Sequence, residues 1–139
     1  GTSTPKADPS GDYAFEAFAK AEALRPGARA ILEAKALQLT GGPNSPPAPK
    51  DRNVYGMIVE TGQADLFLTY CTNAKAALAE VKGAGLVDLP EDLAVGADYG
   101  LTVIAGAPEA AYRFAMFILS PDAQTILREA GFAAPTLAK

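Results

Sequence analysis

Between Gly62 and Ala74 the chain reads Gly-Gln-Ala-Asp-Leu-Phe-Leu-Thr-Tyr-Cys-Thr-Asn-Ala. Leu66 to Tyr70 is an apolar run of strand length, rich in aromatic and aliphatic residues and bounded by turn formers, which predicts a buried strand. Upstream, Val54, Ile58 and Val59 recur at helical spacing until Gly62, and downstream Thr72 and Asn73 are cap-type residues opening a second helix. The segment is therefore the middle of an α-β-α unit, with Tyr70 at the carboxyl end of a central strand. In open α/β sheets that end, beside a helix N-terminus, is where ligands usually bind.

At 139 residues the chain suffices for one domain, and 49% hydrophobic residues supply its core. A net charge of -4 argues against non-specific nucleic-acid binding, which needs a basic surface to neutralise phosphates. An anionic ligand must then be attracted by local groups. Histidine is absent and cysteine occurs once, at Cys71, which excludes a zinc finger, a histidine-based triad and an internal disulfide. No metal or cofactor is implied. Cys71 has no histidine to activate it and reads as a small buried thiol. Without a nucleophile-base pair or metal cluster, the chain is not expected to be an enzyme. No apolar segment approaches the ~20 residues that span a bilayer. The start at Gly1 rather than methionine leads us to expect further residues upstream.

Along the chain, Gly1 to Asp8 reads as the tail of a strand leading into a loop. Pro9 to Tyr13 opens a helix with Ser10 expected at the N-cap, Asp12 complementing the dipole, and Ala14, Ala17, Phe18 and Ala21 facing the core. Pro26 starts a short helix over 28–34, and Ala36 to Thr40 alternates like a short strand. Gly41 to Pro49, dense in proline and glycine, is a surface loop with the character of a flap. Asp51 or Asn53 caps the helix that closes at Gly62. Beyond the central strand, a helix is expected over 74–81, short strands over 86–90 and 99–104, and helices over 108–119 and 121–130. The last has Ser120 as N-cap and Gly131 as C-cap.

The residues suggest an anion site made of helix ends. Helix N-termini offer unpaired N–H groups and the positive end of the dipole, and Gly11 lets a ligand approach the backbone while Ser10 adds a hydroxyl. The same pair also reads as an ordinary helix cap. Tyr70 is either a hydroxyl donor or a core aromatic at a strand end. Arg52, beside Asn53 at the start of the next helix, is either a bidentate anion contact or a solvated first-turn residue.

Asp8-Pro-Ser-Gly-Asp-Tyr13, the helix and Gly62-Gln-Ala-Asp65 leading to Tyr70, Ala97-Asp-Tyr-Gly100, and Ser120-Pro-Asp-Ala-Gln124 with Ile126-Leu127 and Gly131-Phe132 form an ordered set. Together they resemble the carboxy-terminal part of a periplasmic molybdate-binding-type solute-binding protein of an ABC importer. The resemblance implies an α/β fold, a class II periplasmic binding lobe of three α/β/α layers, incomplete because the first lobe is missing. Residues 1–107 would form the second lobe, and 108–139 the terminal helices that pack on the first. It further implies capture of an oxyanion such as molybdate or tungstate and delivery to an ABC permease. The family's ligand positions in this lobe, two helix-start amides and a tyrosine hydroxyl, match Ser10 with Gly11, Arg52 with Asn53, and Tyr70. Arg52 departs from the small apolar residue usual there, and the flap is longer, so a small carboxylate or sugar phosphate stays open as the ligand. The effector-sensing domain of a transcriptional regulator shares the two-lobed plan and is the rival from another class. Phe114, Phe117, Ile118, Ile126 and Leu127 line apolar helix faces that need a partner, and self-association is one way to cover them.

Overall fold

The computed structural model describes residues 1–133. They fall into two compact units, Gly1–Gly96 and a second beginning at Ala97.

In the first unit, β1 (Thr2–Ser3) and β2 (Gln38–Thr40) pair in parallel, Thr2 opposite Gln38 and Ser3 opposite Thr40, with an irregularity between them. Parallel neighbours need a crossover, and α1 (Pro9–Leu24) and α2 (Ala28–Lys35) supply it. On the other side of β1, the Gly1 amine donates to the Leu66 carbonyl at 2.6 Å and the Leu68 amide donates to Gly1 at 3.0 Å. That exchange is the pattern of a parallel bridge. The order across the sheet is thus β2, β1, then the 66–68 segment.

The expected buried strand over 66–70 is reduced to this bridge. Leu66 is 64% exposed, because among the described residues no further strand pairs with the segment's outer edge. The expected strands over 86–90 and 99–104 do not form either. An apolar run encodes a preference for burial, but a ladder also needs a neighbour to accept its hydrogen bonds. The three-layer class II plan is accordingly not evident; the chain is helix-rich with a small parallel sheet.

Helix α1 starts two residues earlier than Ser10 capping required. Asp8 is the N-cap, its carboxylate accepting from the Ser10 amide at 2.9 Å, and Pro9 takes the first helical position. Ser10 lies inside the first turn. Ala14, Ala17 and Phe18 are buried at the predicted spacing, and Gly11 is buried with them. Helix α3 (Val54–Glu60) is capped by Asn53, whose side chain accepts from Gly56 at 3.0 Å. It closes with Gly62 donating to Val59 and Gln63 to Ile58, each at 3.0 Å, while Gly62 adopts φ 70°. This paired closure needs a left-handed residue, which explains the glycine. Helix α4 (Cys71–Glu80) begins three residues earlier than expected, with Tyr70 at its N-cap and no side-chain cap. Gly56 lets α3 settle onto Ala77 and Val81 of the α4 side. Lys20 of α1 donates to the Ala94 carbonyl, tying the last stretch of the unit back to its first helix.

In the second unit, α5 (Glu109–Ile118) and α6 (Pro121–Glu129) are joined at Ser120, which caps α6 as expected, its hydroxyl accepting from Ala123. Gln124 donates to the Ile118 carbonyl at 2.8 Å, bracing the corner. Gly131 donates to Arg128 and Phe132 to Leu127, the same closure as at Gly62. Tyr99 meets Phe132 edge to face, 5.2 Å between centroids. Phe114, Met116, Phe117 and Ile126 are exposed.

A Cβ at Gly11 would lie 2.6 Å from Ser3 O, Thr4 C and Pro5 N, all backbone atoms that cannot swing away. Gly11→Ala should therefore destabilise the chain by about 1–3 kcal/mol, whereas Gly85→Ala, with nothing within 4 Å, should stay within about 0.5 kcal/mol. Urea unfolding followed by circular dichroism distinguishes the two.

Candidate functional site

The carboxyl ends of β1 and β2 meet the first turn of α1. The Thr4 amide and hydroxyl both donate to the Thr40 carbonyl, at 2.9 and 3.1 Å. Gly41, at φ 75°, packs against the Asp8 side chain, and Gly42 against the Thr4 hydroxyl. Two seryl hydroxyls are shut into this corner: Ser3 is 0% and Ser10 4% exposed, and neither has a hydrogen-bond partner among the described residues. Each such hydroxyl costs about 1–3 kcal/mol relative to a paired one. Thr2 has a third unpaired hydroxyl, on the opposite face by strand alternation.

The second wall comes from α3, the 66–70 segment and α4. Asn53 donates from its amide group to the Asn73 carbonyl at 3.2 Å, and Asn73 reaches the Thr69 hydroxyl at 3.5 Å. Tyr55 packs on Phe67 with 5.0 Å between ring centroids, and its hydroxyl approaches Ser3, Thr69 and Asp8. Burial first, and then the Asp8 carboxylate, hold the Tyr55 phenol above the usual tyrosine range, against weaker contacts with Ser3 and Thr69. Tyr70 meets Tyr13 of α1 edge to face at 5.9 Å. Tyr70, the N-cap of α4, makes no side-chain cap hydrogen bond to the first turn of that helix.

The residues expected to hold a ligand are thus differently situated. Ser10 and Tyr70 are linked through Tyr13, one helical turn beyond Ser10. The amides of Ser10 and Gly11 are already used, by the Asp8 carboxylate and the Asp8 carbonyl, both at 2.9 Å. What Ser10 retains is its hydroxyl. The Asn53 amide donates to both oxygens of Glu80, at 3.0 and 2.8 Å. Arg52 pairs with Glu60 at 2.8 Å and with Glu80 at 3.7 Å; the Glu60 hydrogen bond chiefly raises its pKa further. Its charge is largely met within the chain. Cys71, expected to be buried, is exposed, with its sulfur 4.0 Å from an Asp88 oxygen, because the outer edge of the neighbouring segment is open. Among the described residues no group of three or more His, Cys, Asp and Glu is placed to hold a metal ion, and no helix is long and apolar enough to cross a membrane.

Sequence reasoning passed over Ser3, Tyr55 and Thr69. Tyr55 was hidden because it interrupts no pattern, and only its place two residues after a helix cap hinted at a role. Ser3 looked like loop composition.

A small parallel sheet whose carboxyl end gathers helix starts and unpaired hydroxyls is the architecture of a small-molecule binding domain. The chain belongs to the bacterial extracellular solute-binding protein family, whose model matches residues 1–133. It is 35% identical over 132 residues to an uncharacterized protein of Pasteurella multocida (strain Pm70), covering 95% of this chain and 54% of that protein. The chain thus spans about half the length of this relative. No solved structure matches it significantly. Membership of this family points to binding rather than catalysis, and to an extracytoplasmic place of work.

The raised phenol gives a pH signature. Both folded and unfolded chains carry the Tyr55 proton below the ordinary tyrosine pKa of ~10, so Tyr55 leaves stability flat there. Above it the unfolded chain loses the proton first, and stability falls as pH rises. Denaturant titrations from neutral to strongly alkaline pH should show a shallower alkaline decline in Tyr55→Phe than in the parent chain.

Proposed function

We propose that this chain is the ligand-binding part of a periplasmic receptor that captures a small oxyanion, such as molybdate or tungstate, for the permease of an ABC importer. The residues assigned to capture are Ser10, Gly11, Arg52, Asn53 and Tyr70. Ser10 acts through its hydroxyl, and Gly11 by letting the first turn of α1 press onto the backbone of Ser3, Thr4 and Pro5. Tyr70 donates from its phenol beside the first-turn amides of α4, and Asn53 fixes α3 against that turn. The support is one observation: unpaired buried hydroxyls and an uncapped helix start gather in the first unit, while the nearby guanidinium is held by Glu60 and Glu80.

Such a donor set suits an ion with several equivalent oxygens. Hydroxyls and amides replace its hydration shell one bond at a time, and the helix dipole contributes attraction without a counter-ion. An organic carboxylate would instead favour a free arginine fork, and Arg52 is engaged elsewhere. Binding at the start of α3 requires Glu80 to yield the Asn53 amide, so the chain's own carboxylate competes with the incoming anion.

The full-length gene product should be screened by thermal shift against molybdate, tungstate, sulfate, phosphate and small carboxylates. A ligand present at a hundred times its Kd stabilises by about 2.7 kcal/mol, and molybdate or tungstate should raise Tm by several degrees. A response to carboxylates alone would overturn the oxyanion assignment. Tyr70→Phe should weaken oxyanion binding by about tenfold or more, the worth of a hydrogen bond to a charged group, as measured by isothermal titration.

A further inference from the structure

We infer that Tyr13 is a positioning residue for solute capture: its ring, set edge to face against Tyr70, holds the Tyr70 phenol in the orientation from which it donates to the bound oxyanion. This rests on the solute-capture reading above, and adds to it the residue that aims the donor.

Tyr70 carries its hydroxyl at the end of a side chain with two rotatable bonds, half-buried at the N-cap of α4. Such a donor meets an oxygen productively only once its ring is immobilised, and where the ligand must do the ordering, affinity falls about two- to tenfold. The Tyr13 ring lies 5.9 Å from the Tyr70 ring between centroids, with 68° between their planes. In that arrangement the positive rim of one ring points at the negative face of the other, so the contact has a preferred angle that aliphatic packing lacks. It orders the ring before a solute arrives. Tyr13 is itself half-buried, so the pair is not sealed away from an incoming solute.

Tyr13 can serve as the fixed reference because its own backbone is braced. Helix α1 is capped by Asp8, and its first turn is pressed through Gly11 onto Ser3, Thr4 and Pro5. Asp12, next to Tyr13, accepts from the Lys6 amide at 2.8 Å, across a turn in which Lys6 is held at φ 65°. A left-handed backbone at a residue other than glycine persists only where its surroundings determine it. Tyr70, by contrast, follows a segment that bonds to Gly1 along one edge, while Leu66 on that segment stands exposed. The more open element thus takes its alignment from the more rigid one, and the ring pair spans the two walls of the site.

The test uses the full-length gene product, isothermal titration with molybdate and with tungstate, and the ligand-free Tm of each variant. Tyr13→Leu and Tyr13→Met each take away the ring and should weaken binding about two- to tenfold. Tyr13→Phe keeps the ring contact and should bind within about twofold of wild type. Tyr13→Leu combined with Tyr70→Phe should lose no more than Tyr70→Phe alone, because a donor that is gone cannot be misplaced. A loss in Tyr13→Phe as large as that in Tyr13→Leu would make the Tyr13 hydroxyl a contact in its own right and overturn the positioning role. Losses that add in the double variant would overturn it too, and both results leave the capture reading standing. A lowered ligand-free Tm with unchanged affinity in the Leu and Met variants would reduce the pair to packing. A wild-type protein that binds neither oxyanion overturns both readings.

Discussion

The first unit depends on how closely the opening turn of α1 presses against the end of β1. Gly11 brings helix backbone to within a distance of Ser3, Thr4 and Pro5 that no side chain permits. From this contact follow the rest: Asp8 is carried to the helix cap, Gly41 and Gly42 close over Asp8 and Thr4, and β2 is drawn in through the Thr40 carbonyl. The same pressure seals Ser3 and Ser10 from water. A tight joint thereby creates the polar corner that marks the site.

Electrostatics then decide which groups of that corner remain available. The chain has a net charge of -4, and two of its carboxylates sit where an anion would otherwise go, Asp8 at the start of α1 and Glu80 at the start of α3. They satisfy backbone donors at positions the dipole makes favourable for negative charge. Arg52 is held in the same acidic neighbourhood by Glu60 and Glu80. The donors left over are hydroxyls and the uncapped turn of α4, which are uncharged. Such a site favours a ligand through the number and direction of its bonds more than through net attraction.

Helices were legible because each carries its own signals. Ala14, Ala17 and Phe18, the Pro121 start after Ser120, and the Gly62 and Gly131 closures are local features that the fold uses as expected. Ser10 as cap was two positions out, since Asp8-Pro9 offers the better combination of acceptor and first-turn proline. The strands were less legible. Leu66 to Tyr70 has the composition of a buried strand, yet its burial depends on neighbours that no local pattern specifies. The salt bridge of Arg52 to Glu80 joins residues distant in sequence, and so does the approach of Tyr55 to Ser3. Neither follows from periodicity.

The three adjoining segments of the sheet come from the first residues, from 38–40 and from 66–68, and all run the same way. No hairpin can nucleate such an arrangement, and every rung closes a loop of tens of residues. Loop closure of that kind is entropically costly and slows folding. The polar corner consequently cannot exist in any partly folded form that has only its helices: competence to recognise a solute arrives late in folding, together with the full assembly of the unit.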